Sequence, residues 1–374
     1  MTEIKEGLKD VVIAQSTISF IDGNKGELVY AGINIHELAE NSTFEEVVYL
    51  LLHRQLPTAA QLKELDQVLR KNRKVPDEVL TILKTLPKTT EPMDALRTGV
   101  SALGSLEQEP NDHSPDKNLE RVLKLVAQIS TLVAAFQRIR SGQDIVAPRE
   151  DLTHGENFLY MMSGKEPDAT SSKALDIALI LHADHGFNAS TFAARVTTST
   201  LSDIYSAITS AVGTLKGPLH GGANQRVMEM LLDIGVDGDP IAYIKDALAK
   251  GEKIMGFGHR VYHTEDPRAT HLRKMSEQAC RATGNVRWFE MSREIEKFIN
   301  QEKKLNANVD FYSASVYYSL GIPTDLFTLI FAMSRMSGWG AHVLEQLENN
   351  RLIRPREEYV GPRDVHWVPI EKRG

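Results

Sequence analysis

Apolar residues recur at helical spacing along most of the chain. Val122, Leu125, Val126, Ile129, Leu132 and Val133 share one face of a 3.6-residue period, and Ile204, Ile208, Ala211, Val212 and Leu215 form a second stripe. A third runs through Val227, Met230, Leu231 and Ile234. The run 174–181 is apolar nearly all round, broken by Asp176, which predicts a core helix leading straight into His182-Ala183-Asp184-His185. Residues 326–347 form a long apolar helical stretch that carries Arg335. Ser42-Thr43-Phe44-Glu45 reads as a capping box ahead of the apolar run 47–52. One strand pair is predicted, 11–20 with 28–30, around the turn-rich Asp22-Gly23-Asn24-Lys25-Gly26. The polar stretches 107–118 and 141–156 read as connections. The pattern predicts a mainly α-helical protein with a small N-terminal β-hairpin.

Length and composition narrow this picture. At 374 residues the chain can bury a large core and is expected to form two domains. Its 43 basic and 50 acidic side chains give a formal net charge of -7, which argues against a nucleic-acid surface. Cys280 is the lone cysteine, so no intrachain disulfide can form, and a reducing cytoplasm is the expected compartment. The first seven residues lack the apolar core of a signal peptide, and 174–181 is too short to span a bilayer. The expectation is a soluble protein without a membrane anchor.

Candidate chemistry concentrates in three segments, each with a titratable side chain at a tight turn beside a helix start. They are Gly217-Pro218-Leu219-His220-Gly221-Gly222-Ala223-Asn224, Met255-Gly256-Phe257-Gly258-His259-Arg260-Val261-Tyr262 and Asn308-Val309-Asp310-Phe311-Tyr312-Ser313. A lone histidine at a helix start is commonly a packing or capping group. It can also stay neutral in the helix field and donate an N–H to a carbonyl oxygen. Asp310 reads as a routine N-cap for the helix that follows, or as a carboxylate held ionised there and available as a general base. Arg260, Arg268 and Arg273 near His259 form either a solvated basic face or an anion site. Arg335, inside an apolar stretch, requires an anion or a carboxylate to offset its burial. The spacings His182/His185 and His259/His263 suggest a metal, but Arg260 stands where a zinc-protease motif needs glutamate, so no metal site is assigned.

Taken together, the chain resembles the citrate synthases along essentially its whole length. The resemblance rests on Leu181-His182-Ala183-Asp184-His185, the segment 217–224, the segment 255–262 with Asp266-Pro267-Arg268, Val309-Asp310-Phe311-Tyr312-Ser313, and Ser334-Arg335-Met336-Ser337-Gly338. It implies a mainly α, two-domain homodimer, with residues 1–216 and 321–374 forming a large domain and 217–320 a small, mobile one. It implies condensation of acetyl-CoA with oxaloacetate and water to give citrate and CoA, with no cofactor beyond these substrates.

Carried over by residue, Asp310 would take the methyl proton, His220 would hold the thioester oxygen, and His259 would polarise the ketone. His185, Arg268 and Arg335 would grip oxaloacetate, with Arg354 reaching in from the partner subunit. Ile254, Met255, Gly256, Phe257 and Gly258 would face CoA. His263 and Gly186 depart from the family pattern, where lysine and glutamate are common, which bears on CoA phosphate contacts and loop packing. The short N-terminus favours a dimer. A 2-methylcitrate synthase using propionyl-CoA is the nearest alternative. A helical binding scaffold is the alternative of another class, and loss of His220, His259 or Asp310 would mark it.

Overall fold

A computed structural model describes residues 4–8, 11–110 and 112–373. Among these are sixteen α-helices and one small antiparallel sheet. The sheet forms where the turn signal predicts it, but its first strand is shorter than expected. β1 (Ser19–Asp22) pairs with β2 (Glu27–Tyr30), Ser19 opposite Tyr30, and β2 pairs with a brief β3 (Ile33–Asn34) that the pattern does not predict. Residues 11–16 lie outside the sheet, with Val12 89% exposed, because β2 offers only four residues to pair with. Asp22 Oδ1 shapes the turn by accepting the Asn24 and Lys25 N–H groups at 3.0 and 3.1 Å. Residues 1–3, part of the stretch that lacks a signal-peptide core, lie outside the described residues.

Helix starts follow the local signals with small displacements. The cap of Phe44–His53 is Thr43, not Ser42, and its Oγ1 accepts Glu46 N–H at 3.3 Å. Glu45 is drawn inward to accept His154 N–H at 2.7 Å, so the predicted box does not close; Glu46 instead accepts the Ser42 hydroxyl at 2.7 Å. The connection 107–118 is cut short because Pro115 opens helix Pro115–Arg140, where a missing N–H is tolerated, and residue 111 lies outside the described residues. The connection 141–156 ends at Thr153, which caps His154–Ser163. Pro115–Arg140 itself has the length and apolarity of a bilayer span, more so than 174–181, yet 72% of its apolar window is buried in the fold.

The centre of the core is helix Phe327–Glu348. It packs on Ala169–His182, Pro115–Arg140 and Ala189–Ser199. Phe327, Ile330, Met333, Trp339 and Val343 are fully buried, each contributing about 1.5–3 kcal/mol or more. Gly338 allows the closest approach: its N–H donates to Ala183 O at 3.1 Å, and a Cβ would lie 2.3 Å from that oxygen. The His182–His185 segment is thereby pressed against the helix that carries Arg335. Helices Ala223–Ile234, Pro267–Ala282, Val286–Lys303 and Val309–Ser319 pack chiefly on one another. Pro267–Ala282 and Val309–Ser319 also touch Ala169–His182.

Candidate active site

The second and third glycine-flanked or helix-start segments are stitched together by backbone. Phe257 forms an isolated antiparallel bridge with Ala307. Gly258 N–H donates to Asn306 O at 3.0 Å, and Asn308 N–H donates to Gly256 O at 2.9 Å. Gly256 is required there, since its φ is 82° and a Cβ would lie 2.8 Å from the Phe311 ring. Ile254, Met255, Phe257 and Gly258 form a half-buried strip beside it.

The sequence predicts Asp310 as the helix N-cap, but Asn308 takes that place. Its Oδ1 accepts Asp310 N–H at 3.0 Å, and its Nδ2 donates to Gly258 O at 2.9 Å. Asp310 lies in the first turn, two residues after the cap, and its carboxylate accepts no hydrogen bond from the described residues. Burial raises its pKa to about 6, while Arg268 and Arg335 pull it down and Asp266 pushes it up. Loss of water thus outweighs the helix field that the sequence suggests would favour ionisation. A carboxylate in this state is a competent proton acceptor near neutral pH.

His220 sits two residues before the Gly222 cap of Ala223–Ile234. Its Nε2 accepts the backbone N–H of Ser190 at 3.2 Å and lies 2.8 Å from Ser190 Oγ, which accepts from Trp339 Nε1 at 3.1 Å. A ring nitrogen that faces an N–H donor carries a lone pair, so the proton of the neutral ring is on Nδ1. Burial lowers the pKa of His220 to about 4, with the Arg335 charge adding to the effect. Neutrality here comes first from burial, not from the helix terminus.

His259 is set the opposite way round. Its Nδ1 accepts Val261 N–H at 3.0 Å and Tyr262 N–H at 3.1 Å, which leaves the proton on Nε2. Burial and the Arg268 charge lower its pKa to about 4, against Asp266. The His185 ring stands edge-on to it at 5.3 Å, and His185 Nε2 is 3.1 Å from the Tyr262 hydroxyl. His185 is also held neutral, first by burial and then by Arg268, His259 and Arg335.

The two inner arginines differ. Arg268 is clamped by Asp266, Nε to Oδ1 at 2.9 Å and Nη2 to Oδ2 at 2.8 Å. Burial opposes its charge, and Asp266 outweighs burial to raise its pKa. Asp266 also accepts the N–H of Val309 at 3.1 Å, linking this arginine to the Asp310 helix. Arg335 is 1% exposed and forms no ion pair among the described residues. Its Nε donates to His182 O at 2.7 Å, its guanidinium stacks on Phe331 at 4.5 Å, and its Nη2 is buried without a partner. Burial lowers its pKa to about 10, against the pull of Asp184. A buried cation with an orphan donor is a receptor for an anion.

The charge of Arg335 reaches His220, His185 and Asp310, and that of Arg268 reaches His259, His185 and Asp310. Six of the predicted residues therefore share one electrostatic neighbourhood. Arg354 is outside it, exposed on the C-terminal segment. Sequence reasoning missed Ser190, named Asp266 only within a motif, and weighed His182 only for a metal; the buried Nε2 of His182 has no partner among the described residues. Asp266, just before Pro267, carried a helix-start signal that marks it. Ser190 has no local signal, because its role comes from a segment thirty residues away in the chain.

A family profile described as citrate synthase, C-terminal domain, matches residues 7–356. The chain belongs to the citrate synthase family. Citrate synthase 2 of Bacillus subtilis is 54% identical over 98% of this chain and 98% of its own length. Citrate synthase of Haloferax volcanii is 51% identical over 99% of each. A 2-methylcitrate synthase of Shewanella oneidensis matches at 42%, over 98% of this chain and 97% of its own. Among solved structures, the citrate synthase of Thermoplasma acidophilum, in a ternary complex with carboxymethyl coenzyme A and oxaloacetate, superposes with a TM-score of 0.94 at 34% identity, each chain fully covered. The titratable cluster described above thus lies within a citrate synthase fold.

Proposed function

We propose that this chain joins acetyl-CoA to oxaloacetate and hydrolyses the resulting thioester, giving citrate and free CoA. The observation that carries the reading is the pair of neutral imidazoles locked by backbone N–H groups in opposite tautomers. Each ring has one N–H left to give. The desolvated carboxylate of Asp310 feels the same two buried arginines, and Arg335 among them keeps an orphan donor.

A thioester methyl is a very weak acid, so removal of its proton and stabilisation of the oxyanion must occur together. Asp310 takes the proton. His220 donates Nδ1–H to the thioester oxygen as charge develops there, an interaction worth about 2.7–4 kcal/mol in comparable sites. The enolate carbon then bonds to the ketone carbon of oxaloacetate. The ketone oxygen accepts Nε2–H of His259 and takes that proton as the bond forms. Water cleaves the citryl thioester and releases CoA. Arg268, Arg335 and His185 hold the oxaloacetate carboxylates, and the strip Ile254, Met255, Gly256, Phe257 and Gly258 lies along CoA. The proton held by Asp310 returns through solvent to Nε2 of His259, and water supplies the proton of the released thiol, so the scheme balances without a metal or redox group.

Residues 217–320 act as the small domain in this reading, closing over oxaloacetate to exclude water before acetyl-CoA reacts. The protein works as a homodimer, with Arg354 serving the partner's site, and resides in the cytoplasm, consistent with a single buried thiol at Cys280.

The deciding experiment is thiol release from acetyl-CoA with and without oxaloacetate. Release that requires oxaloacetate is expected; none, or equal release without it, rejects the reaction. A parallel assay with propionyl-CoA is expected to be slower, and a faster rate there would favour 2-methylcitrate synthesis. One methylene is worth only about 1–3 kcal/mol in such a pocket. The placement of Arg354 has its own test. Subunits carrying Arg354→Ala and Asp310→Asn are each expected to be inactive as homodimers. Verified heterodimers are expected to recover part of the activity, because one site then has both residues intact. Heterodimers as inactive as their parents would place Arg354 in its own subunit's site or outside the chemistry.

A further inference from the structure

We propose that the N-terminal hairpin is a positioning element for His259, with Gly23 as its point of contact. This rests on the reading of His259 as the donor to the ketone.

The loop 259–265 has no helix or strand of its own, so its shape must be imposed by neighbours. The hairpin turn is one of them. His263 N–H donates to Gly23 O at 2.8 Å. A Cβ at Gly23 would lie 2.0 Å from Val261 O and 2.8 Å from Val261 C, and one at Gly26 would lie 2.8 Å from Glu265 O. Turn and loop are therefore in backbone-to-backbone contact. Val261 matters in particular, because its N–H and that of Tyr262 fix Nδ1 of His259. A push on the Val261 peptide is a push on the hydrogen bonds that set this tautomer.

The same sheet grips the other histidine segment. Ser19 Oγ donates to Asp184 Oδ2 at 2.6 Å. The Tyr30 hydroxyl donates to Asp184 O at 2.9 Å and accepts Asp184 N–H at 3.2 Å. His185 follows directly, and its ring faces His259. One small sheet thus spans the two segments whose rings must address the same substrate. Displacement of a reacting group by about 1 Å can lower the rate on the order of a hundredfold.

Gly23→Ala tests the contact. Gly23 has no positive φ, so alanine fits the backbone and the clash with Val261 is the main consequence. Gly32→Ala serves as the control: its φ is 91° with nothing within 4 Å, so it strains the same sheet without touching the loop. The readouts are kcat and KM by thiol release, and the 13C chemical shift of the C2 carbonyl of bound oxaloacetate, which reports donation by His259. In Gly23→Ala, kcat is expected to fall between about tenfold and a hundredfold. Its carbonyl shift should move toward the free value while KM for acetyl-CoA holds. Gly32→Ala is expected to keep the wild-type kcat and carbonyl shift.

Three outcomes would overturn the inference: a wild-type kcat and shift in Gly23→Ala, a loss of kcat with an unmoved shift, or the same losses in Gly32→Ala. Should Gly23→Ala fail to fold, Asp22→Ala loosens the turn instead by removing the acceptor for Asn24 and Lys25. A smaller shift in the same direction supports the inference, and no shift overturns it. A wild-type protein that neither releases thiol nor polarises oxaloacetate rejects the reaction itself. An active wild type with an unaffected Gly23→Ala rejects only the role of the hairpin.

Discussion

Asp310→Asn is expected to lose citrate formation by as much as about 10⁴-fold, the upper range for a general base, while the protein becomes harder to melt. The two effects have one cause. The carboxylate is held in a site that disfavours its charge, so the side chain suited to accept a proton is also one the folded state tolerates poorly. The folded pKa of about 6 lies above the ordinary 3.8. The contribution of Asp310 to stability is therefore fully present below 3.8 and is lost as pH rises through about 6. Asparagine is neutral throughout. The melting temperature of the variant should exceed that of the wild type by a few degrees at pH 8, and the gap should close as pH falls toward 4. Thiol release and melting curves at several pH values measure both. Retention of citrate formation by the variant would reject Asp310 as the base. A variant that melts lower than the wild type at pH 8 would reject the account of its burial.

The same pKa fixes the acid limb of the rate profile. His220 and His259 stay neutral until about pH 4. Activity that falls as pH drops through about 6 is thus protonation of Asp310, and the oxyanion donors are still in place when it happens.

The three chemical segments were legible because each places a titratable residue beside a tight turn and a helix start, which is a local pattern. What made each residue work was not local. The tautomer of His220 is set by Ser190, and that of His259 by two peptide groups in the loop that follows it. Asp310 read as a cap because aspartate at a helix start commonly is one. Asn308 claims the cap because it alone also reaches Gly258 O, a contact visible only once the turn has folded back. The first strand is shorter than its composition suggests for a related reason. Residues 11–16 have strand-like composition, but a strand is made by its partner, and β2 ends after four residues. The helical core was easier, since burial of a stripe follows from its period. Even there, Glu45 left its expected place to meet His154.

Arg335→Met and Arg268→Met are expected to move stability in different directions while both abolish saturation by oxaloacetate. Arg268 is bound at two points to Asp266, itself 1% exposed. Removing that guanidinium leaves a buried carboxylate unpaired, a loss of about 3–5 kcal/mol. Removing Arg335 leaves no carboxylate unpaired, only the His182 carbonyl without its donor. The carboxylate whose charge it feels most, Asp184, is already held by Ser19 Oγ at 2.6 Å and Gly186 N–H at 2.9 Å, with the His342 ring 3.1 Å from its other oxygen. Methionine in place of Arg335 keeps a contact with the Phe331 ring and removes a cation with an orphan donor, so its melting temperature should match or exceed the wild type. Wild-type protein should gain melting temperature on adding oxaloacetate, because ligand binds the folded state alone. Arg335→Met should show no such gain, and calorimetry should detect no binding. If Arg335→Met melts as low as Arg268→Met, the guanidinium is a structural strut and its orphan donor is not a substrate contact. If it melts normally and still binds oxaloacetate, the anion it was built to receive is a different one.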